Sequence, residues 1–486
     1  MKRNLTFHRN AALAALVLLS TTALADSAAP VPITVLKPAH DTAHGLIFLT
    51  PNGAATASHG TQIVDDEGRP VWFRPLPSGT SATDLRVQRY HGEPVLTWIE
   101  SKGGFSTGPT TAYIANRHYD IIASVNAGNG LILDSHEFHL TREGTALIPI
   151  YRTVPYDLSP FGGPAAGKIT EGVVQEIDIA TGRLLFEWHS LEHVGLDESH
   201  APVPTTANAA WDYFHLNAVS VDEDGNLLVD ARNTWAAYRL DRHSGKVIWR
   251  LAGKKSDFTL GTGVEFAWQH NPTAVDDHGL IRIFDNEASP TVLPYSRVIW
   301  VRHDDRRKTA TLERWLKHPD GLSAGSQGNS EGLDDGHTFV GWGQLPRFSE
   351  LDKHDNLIFD AALPDGYNSY RAWRYDWEGR PSTAPTATAI TTPEGDTVIH
   401  AIWNGATEVA RWDVLDASDG DEAEAGEHEH HDRGRRHERN VVASAKWNGL
   451  DTTIQVDDFI PSVVVVARDR EGHELGRSVV VNATQQ

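Results

Sequence analysis

The sequence predicts an all-β protein: a six-bladed β-propeller followed by a small C-terminal Ig-like or fibronectin-like β-sandwich. Two recurring phrases carry the prediction. The first is an Asp/Gly turn between short runs of Val, Ile, Leu, Phe and Trp, as in DDEG (65–68), TREG (141–144), DEDG (222–225), DDHG (276–279) and LDDG (333–336). Turns of this composition between alternating apolar runs read as hairpins, not helices. The second phrase is a strand, a Thr-Gly or Ser-Gly turn and a strand ending in tryptophan, seen in EIDIATGRLLFEW (176–188) and YRLDRHSGKVIWR (238–250). One hairpin of each kind makes a four-stranded unit, and about six such units fit between residues 40 and 380, the signature of a propeller. A β-sandwich or a two-sheet solenoid would carry the same hairpin signals.

Lys2, Arg3 and Arg9 precede the apolar run AALAALVLLSTTALA, and Ala23-Leu24-Ala25 is a small-residue cleavage site before Asp26. Residues 1–25 therefore read as a secretory signal peptide, shorter than the roughly 18 apolar residues a membrane anchor needs, and the expected location is periplasmic or secreted. Residues 26–380 form the expected propeller. RPSTAPTATAITTPEGD shifts the composition to Pro, Thr and Ala, so 381–395 reads as a linker. Residues 396–486 read as the sandwich, from the strand-like runs VIHAIWNGATEVARWDVL, VVASAKWNGLDTTIQV and SVVVVARDREGHELGRSVVV. The His/acidic insert 416–440, DASDGDEAEAGEHEHHDRGRRHERN, has almost no apolar residue and is expected to be disordered. Its His428, His430 and His431 are more simply a solvated charge run than a metal site.

Composition narrows the function classes. A formal net charge of −22 argues against nucleic acid or an anionic membrane as partner, since both require a basic footprint. An anionic substrate must then be met by a local positive site. The chain has no cysteine, so no disulfide braces it and core burial must stabilise it.

The candidate chemistry lies at hairpin starts. His136 stands eight residues before Gly144, His215 ten before Gly225 and His270 nine before Gly279. The first strand of each propeller blade lines the central channel, so the three histidines are expected to converge near one axis. In WDYFHLNAVSVDEDGNLLVDARN, two possible turn registers set either Asn217 or His215 opposite Arg232, and both put the three on one face. A guanidinium repels a bound cation and its planar fork suits a tetrahedral oxyanion, so no metal is expected there. The propeller region also carries no HExxH motif or calcium-loop carboxylate series.

These stretches resemble a known family, the PAPS-independent bacterial aryl sulfotransferases, and in particular their arylsulfotransferase-like branch. The resemblance spans about residues 45–380 and is carried by DSHEFHLTREGTALI, DYFHLNAVSVDEDGNLLVDARN, FAWQHNPTAV followed by IRIFDN, and SQGNSEGLDDGHTFVGWG through SYRAWRYDWEGRP. It implies a six-bladed propeller whose channel histidine takes a sulfuryl group from a phenolic sulfate and hands it to another phenol. By resemblance His270 is the nucleophile, and His136, His215 and Arg232 hold the sulfate and the leaving oxygen. Asn217 and Asn329 are the implied substrate-binding neighbours. The reaction implied is ping-pong, with small phenolic partners and no nucleotide, metal or other cofactor. A propeller hydrolase or lactonase acting on another ester, and a non-catalytic extracellular binding protein, are the competing readings. The oxyanion-suited Arg232 beside three histidines favours the first of the three over the hydrolase.

Overall fold

A computed structural model describes residues 29–53, 59–103, 108–418 and 440–485. The signal peptide expected over 1–25 and nearly all of the insert expected over 416–440 lie outside the described residues. The fold is all-β, and four single 3₁₀ turns are the only helices among the described residues. No helix among them is long and apolar enough to cross a membrane.

Six mainly antiparallel sheets follow one another from residue 34 to 375, the second and fourth each with a short parallel strand, Ala210–Asp212 and Thr259–Leu260. The first comprises Thr80–Tyr90, Glu93–Lys102, Thr110–Ala115 and Ile121–Val125, and the second His139–Leu140, Thr145–Tyr156, Gly167–Asp178 and Leu184–His189. The third comprises Leu216–Val221, Leu227–Ala231, Ala236–Leu240 and Val247–Ala252, and the fourth His270–Ala274, Leu280–Asp285, Arg297–Asp304 and Thr309–Leu316. The fifth holds Asn329–Gly332, Thr338–Gly341, Arg347–Leu351 and Leu357–Ala362, with the early strand Thr34–Lys37 added at its outer edge. In the sixth, Tyr367–Tyr375 pairs with Leu46–Gly53, which continues through Gly60–Val64 to Pro70–Pro75. Each sheet touches the next, and the sixth touches the first through Tyr367–Tyr375 and Thr80–Tyr90, so the order closes on itself. The N-terminal segment thus closes the ring at two sheets, completing the sixth and adding an outer strand to the fifth.

The turns read from sequence form as expected. Gly68, Gly144, Gly225, Gly279 and Gly336 all have φ between 77° and 83°. Three turns share one device: Oδ1 of Asp65, Asp222 and Asp276 each accepts two backbone N–H groups, two and four residues on. Trp188 and Trp249, which end the second type of phrase, are both buried between sheets.

Two further sheets occupy 386–485 and share a core of Ile399, Trp412, Val414, Ile454, Val463 and Val465. One difference from the sequence reading lies here. Thr386–Thr391, within the expected linker, is a strand paired with Thr397–Ile402, because its Ala389 packs into that core and its threonines are β-branched. This unit covers the open edge of the sixth sheet: Gly405 N–H donates to the Val71 carbonyl at 2.9 Å, and the Asn404 amide bonds both N–H and C=O of Phe73 at 2.9 and 2.8 Å.

Candidate functional site

The three histidines sit where inner strands begin. His136 lies in the turn before His139–Leu140, His215 immediately precedes Leu216–Val221, and His270 opens His270–Ala274. The structure brings them together. The rings of His136 and His215 are 5.2 Å apart at 84°, and both pack on Tyr151, at 5.4 and 5.5 Å. Tyr370 adds an edge contact to His136 at 5.6 Å. His270 lies within electrostatic reach of Arg232, His136 and His215. The backbone around them is unusual: His215, Trp235, Trp268, Asn271 and Gln327 all have φ between 51° and 65°. Such conformations cost about 1–3 kcal/mol each and cluster where a site must be held in a set geometry.

The hairpin register explains how His215 meets Arg232. Arg232 N–H donates to the His215 carbonyl at 3.0 Å, the second of the two registers expected, and a bulge at Asn217 shifts the ladder beyond it. The bulge turns Asn217 away from the regular face predicted for it. Its amide N–H reaches the Gln269 carbonyl at 2.8 Å, while Gln269 reaches back to Asp230 at 2.7 Å, so the pair stitches the third sheet to the fourth. Asn329 has the same use. Its amide donates to the Ala372 carbonyl at 2.8 Å and accepts from the Ala372 N–H at 3.0 Å, joining the fifth sheet to the sixth. Both residues are fully buried, and their amide nitrogens donate to backbone carbonyls of the neighbouring sheets.

Each histidine has a defined partner. Nδ1 of His136 meets Asp134, and Nδ1 of His215 meets Asp212. His270 Nδ1 is 2.7 Å from Asn286 Oδ1, and the Asn286 amide nitrogen donates to the carbonyls of Ala324 and Gln327, both at 3.0 Å. That assignment leaves Asn286 Oδ1 as an acceptor, so Nδ1 carries the proton and Nε2 the lone pair. The Gln327 backbone N–H donates to this Nε2 at 3.1 Å. Burial pushes His270 well below its ordinary pKa, and Arg232 pushes it the same way, so its ring is neutral. Burial also lowers His136, against the pull of Asp134.

Arg232 is clamped. Nη1 donates to Asn233 Oδ1 and Nη2 to the Gly325 carbonyl, both at 3.0 Å, and the guanidinium lies 4.8 Å over the Trp268 ring. Its Nε is shielded from solvent without a hydrogen-bond partner. Next to Tyr370, Arg371 of the sixth sheet bonds Asp84 at 3.2 Å, Glu137 at 3.1 Å and the Asn217 carbonyl at 3.4 Å. Burial works against the charge of Arg371, but Asp84 and Glu137 outweigh it and its pKa is raised. This ionic knot ties four sheets at the axis.

Sequence reasoning missed Asp134, Tyr151, Asp212, Trp268, Asn286 and Tyr370. Two of them were visible as spacings, Asp-x-His at 134–136 and Asp-x-x-His at 212–215. The aromatic residues gave no signal that separates pocket walls from core.

An all-β ring with three histidines and an arginine gathered at strand ends near its axis defines the class. Residues 86–363, more than half of the chain, match the arylsulfotransferase (ASST) family, and the chain belongs to it. Aryl sulfotransferase activity, on small phenolic compounds, is the general activity of that family. No curated protein matches the chain. Among solved structures, a protein of unknown function from Bacteroides caccae is 13% identical, covering 68% of this chain and 99% of its own at a TM-score of 0.41. A protein from Lactobacillus plantarum is 13% identical, covering 90% and 96% at 0.37, and Saccharomyces cerevisiae Sqt1 is 10% identical, covering 67% and 72% at 0.33. These likenesses are too slight to bear on function.

Proposed function

We propose that this protein is a PAPS-independent aryl-sulfate sulfotransferase that moves a sulfuryl group from a phenolic sulfate ester to a phenolic acceptor through a sulfohistidine on His270. The observation that carries the reading is the state of His270: neutral, with its proton fixed on Nδ1 by Asn286, beside the clamped Arg232. A neutral Nε2 lone pair can attack sulfur, splitting one displacement into two and giving ping-pong kinetics. The Gln327 N–H bond to Nε2 must yield first, at a cost of about 1 kcal/mol. Arg232, with His136 and His215, binds the sulfuryl oxygens and the departing phenolate, where each well-placed donor is worth about 3–4 kcal/mol. Asn217 and Asn329 frame this cluster by holding neighbouring sheets in register.

The six closed sheets support a six-bladed propeller over residues 26–380, and the two sheets beyond support an Ig-like or fibronectin-like sandwich docked on its edge. Residues 1–25 are read as an export signal cleaved after Ala25, giving a periplasmic or secreted protein. N-terminal sequencing of exported protein checks this, with Asp26 expected first. The activity test is incubation with 4-nitrophenyl sulfate, with and without phenol. Nitrophenol release that requires the acceptor supports transfer; equal release without it means hydrolysis and overturns the reading.

A further inference from the structure

Carboxylates partner two of the three histidines, and they do so unequally. The Asp134–His136 pair is sealed, with side chains 1% and 6% exposed, and its imidazole is enclosed by Tyr151, Tyr370 and His215. The Asp212–His215 pair is open, at 34% and 22%. Asp212 is also placed by an element of its own. The short strand Ala210–Asp212 runs parallel to the start of Gly167–Asp178, with Asp212 opposite Thr170, and the Asp212 carbonyl accepts the Asn233 amide at 2.6 Å. One carboxylate oxygen takes His215 Nδ1, and the other is shielded without a hydrogen-bond partner. A carboxylate bound at Nδ1 fixes the tautomer and makes Nε2 the nitrogen that exchanges a proton. Among the described residues, that Nε2 has no hydrogen-bond partner.

We propose that Asp212 is a positioning residue that makes His215 the proton carrier of both half-reactions; this rests on the sulfotransferase reading above. In the first half-reaction His270 Nε2 bonds to sulfur as the bond from sulfur to the aryl oxygen breaks, and the leaving phenolate takes the Nε2 proton of the His215 imidazolium. In the second, His215 Nε2 accepts the proton of the incoming phenol, whose oxygen bonds to sulfur as the bond from sulfur to His270 breaks. His215 ends protonated, ready for the next donor, and Asp212 stays ionised beside it throughout. His136, packed among Tyr151, Tyr370 and His215, is left to orient the substrate rather than to carry the proton.

The test uses the full chain, with phenyl sulfate and 4-nitrophenyl sulfate as donors and 2-naphthol as acceptor. Phenolate is the more basic leaving group and needs the proton; nitrophenolate leaves well without it. Asp212→Asn and Asp212→Ala are measured side by side with Asp212→Glu, so that the comparison survives misfolding of one variant. Donor kcat/KM for phenyl sulfate is expected to fall about 10²–10⁴-fold in the Asn and Ala variants and far less for 4-nitrophenyl sulfate. Asp212→Glu is expected to restore much of the wild-type donor ratio. Equal losses with both donors overturn this role for Asp212, whereas wild-type protein that transfers from neither donor overturns the sulfotransferase reading itself.

Discussion

Replacing Arg232 by lysine keeps the charge and removes the fork, which makes it the sharpest single probe of the site. The guanidinium currently spends Nη1 on Asn233 and Nη2 on Gly325, stacks on Trp268, and still has an Nε without a partner. An ammonium offers one nitrogen at the end of a flexible stem, so it cannot hold both anchors and a sulfuryl oxygen together. Losing one anchor of the charged guanidinium costs about 1.5–3 kcal/mol of stability. Losing a preorganised donor to the transition state costs about 3–4 kcal/mol, or roughly 10²–10³ in kcat. The variant is therefore expected to fold, to melt slightly earlier, and to show kcat for transfer from 4-nitrophenyl sulfate to phenol reduced by about that factor, with KM changed less. A kcat within a few-fold of wild type would refute the role given to the fork.

Other consequences follow from the same geometry. His270 is neutral when folded and takes up a proton on unfolding below about pH 6.5, so it draws stability away as pH falls. The stability of wild type relative to His270→Gln, measured by urea melts, is expected to drop by about 1.4 kcal/mol between about pH 7.5 and 5.5, and an unchanged difference would show that the ring titrates normally. Arg371→Met leaves two buried carboxylates, Asp84 and Glu137, sharing the Arg86 guanidinium beside them, and is expected to destabilise by about 3–5 kcal/mol in the same assay; a loss below about 1 kcal/mol would mean the Arg371 pairs are dispensable. Asn404→Ala frees both backbone groups of Phe73 at the edge of the sixth sheet. A loss of about 1–3 kcal/mol with kcat unchanged is expected, and no change in melting would show that the C-terminal unit docks without this bond.

The all-β class and the turn positions were legible because Asp, Gly and alternating apolar residues impose local geometry directly. The five glycines at φ near 80° needed nothing from the rest of the chain. The three site histidines were legible by their similar offsets, eight to ten residues before those turns. What lay hidden depended on contacts between sheets. Nothing in the sequence says that a bulge at Asn217 would turn its amide to Gln269, or that Asn329 would bridge Ala372, because both are set by how one sheet meets the next. Asn286 sits sixteen residues from His270 and reaches it only because their two strands pair. Arg371 and Glu137 are 234 residues apart and meet only when the ring closes. The strand at Thr386–Thr391 was obscured by prolines on either side of a threonine-rich run.

The intact mass of the protein after exposure to 4-nitrophenyl sulfate without acceptor tests the central claim most directly. The account predicts a species heavier by one sulfuryl group, mapped to His270, absent in His270→Ala, and discharged when phenol is added. Protein of unchanged mass that nonetheless transfers sulfate to phenol, or a label carried by another residue, would contradict it.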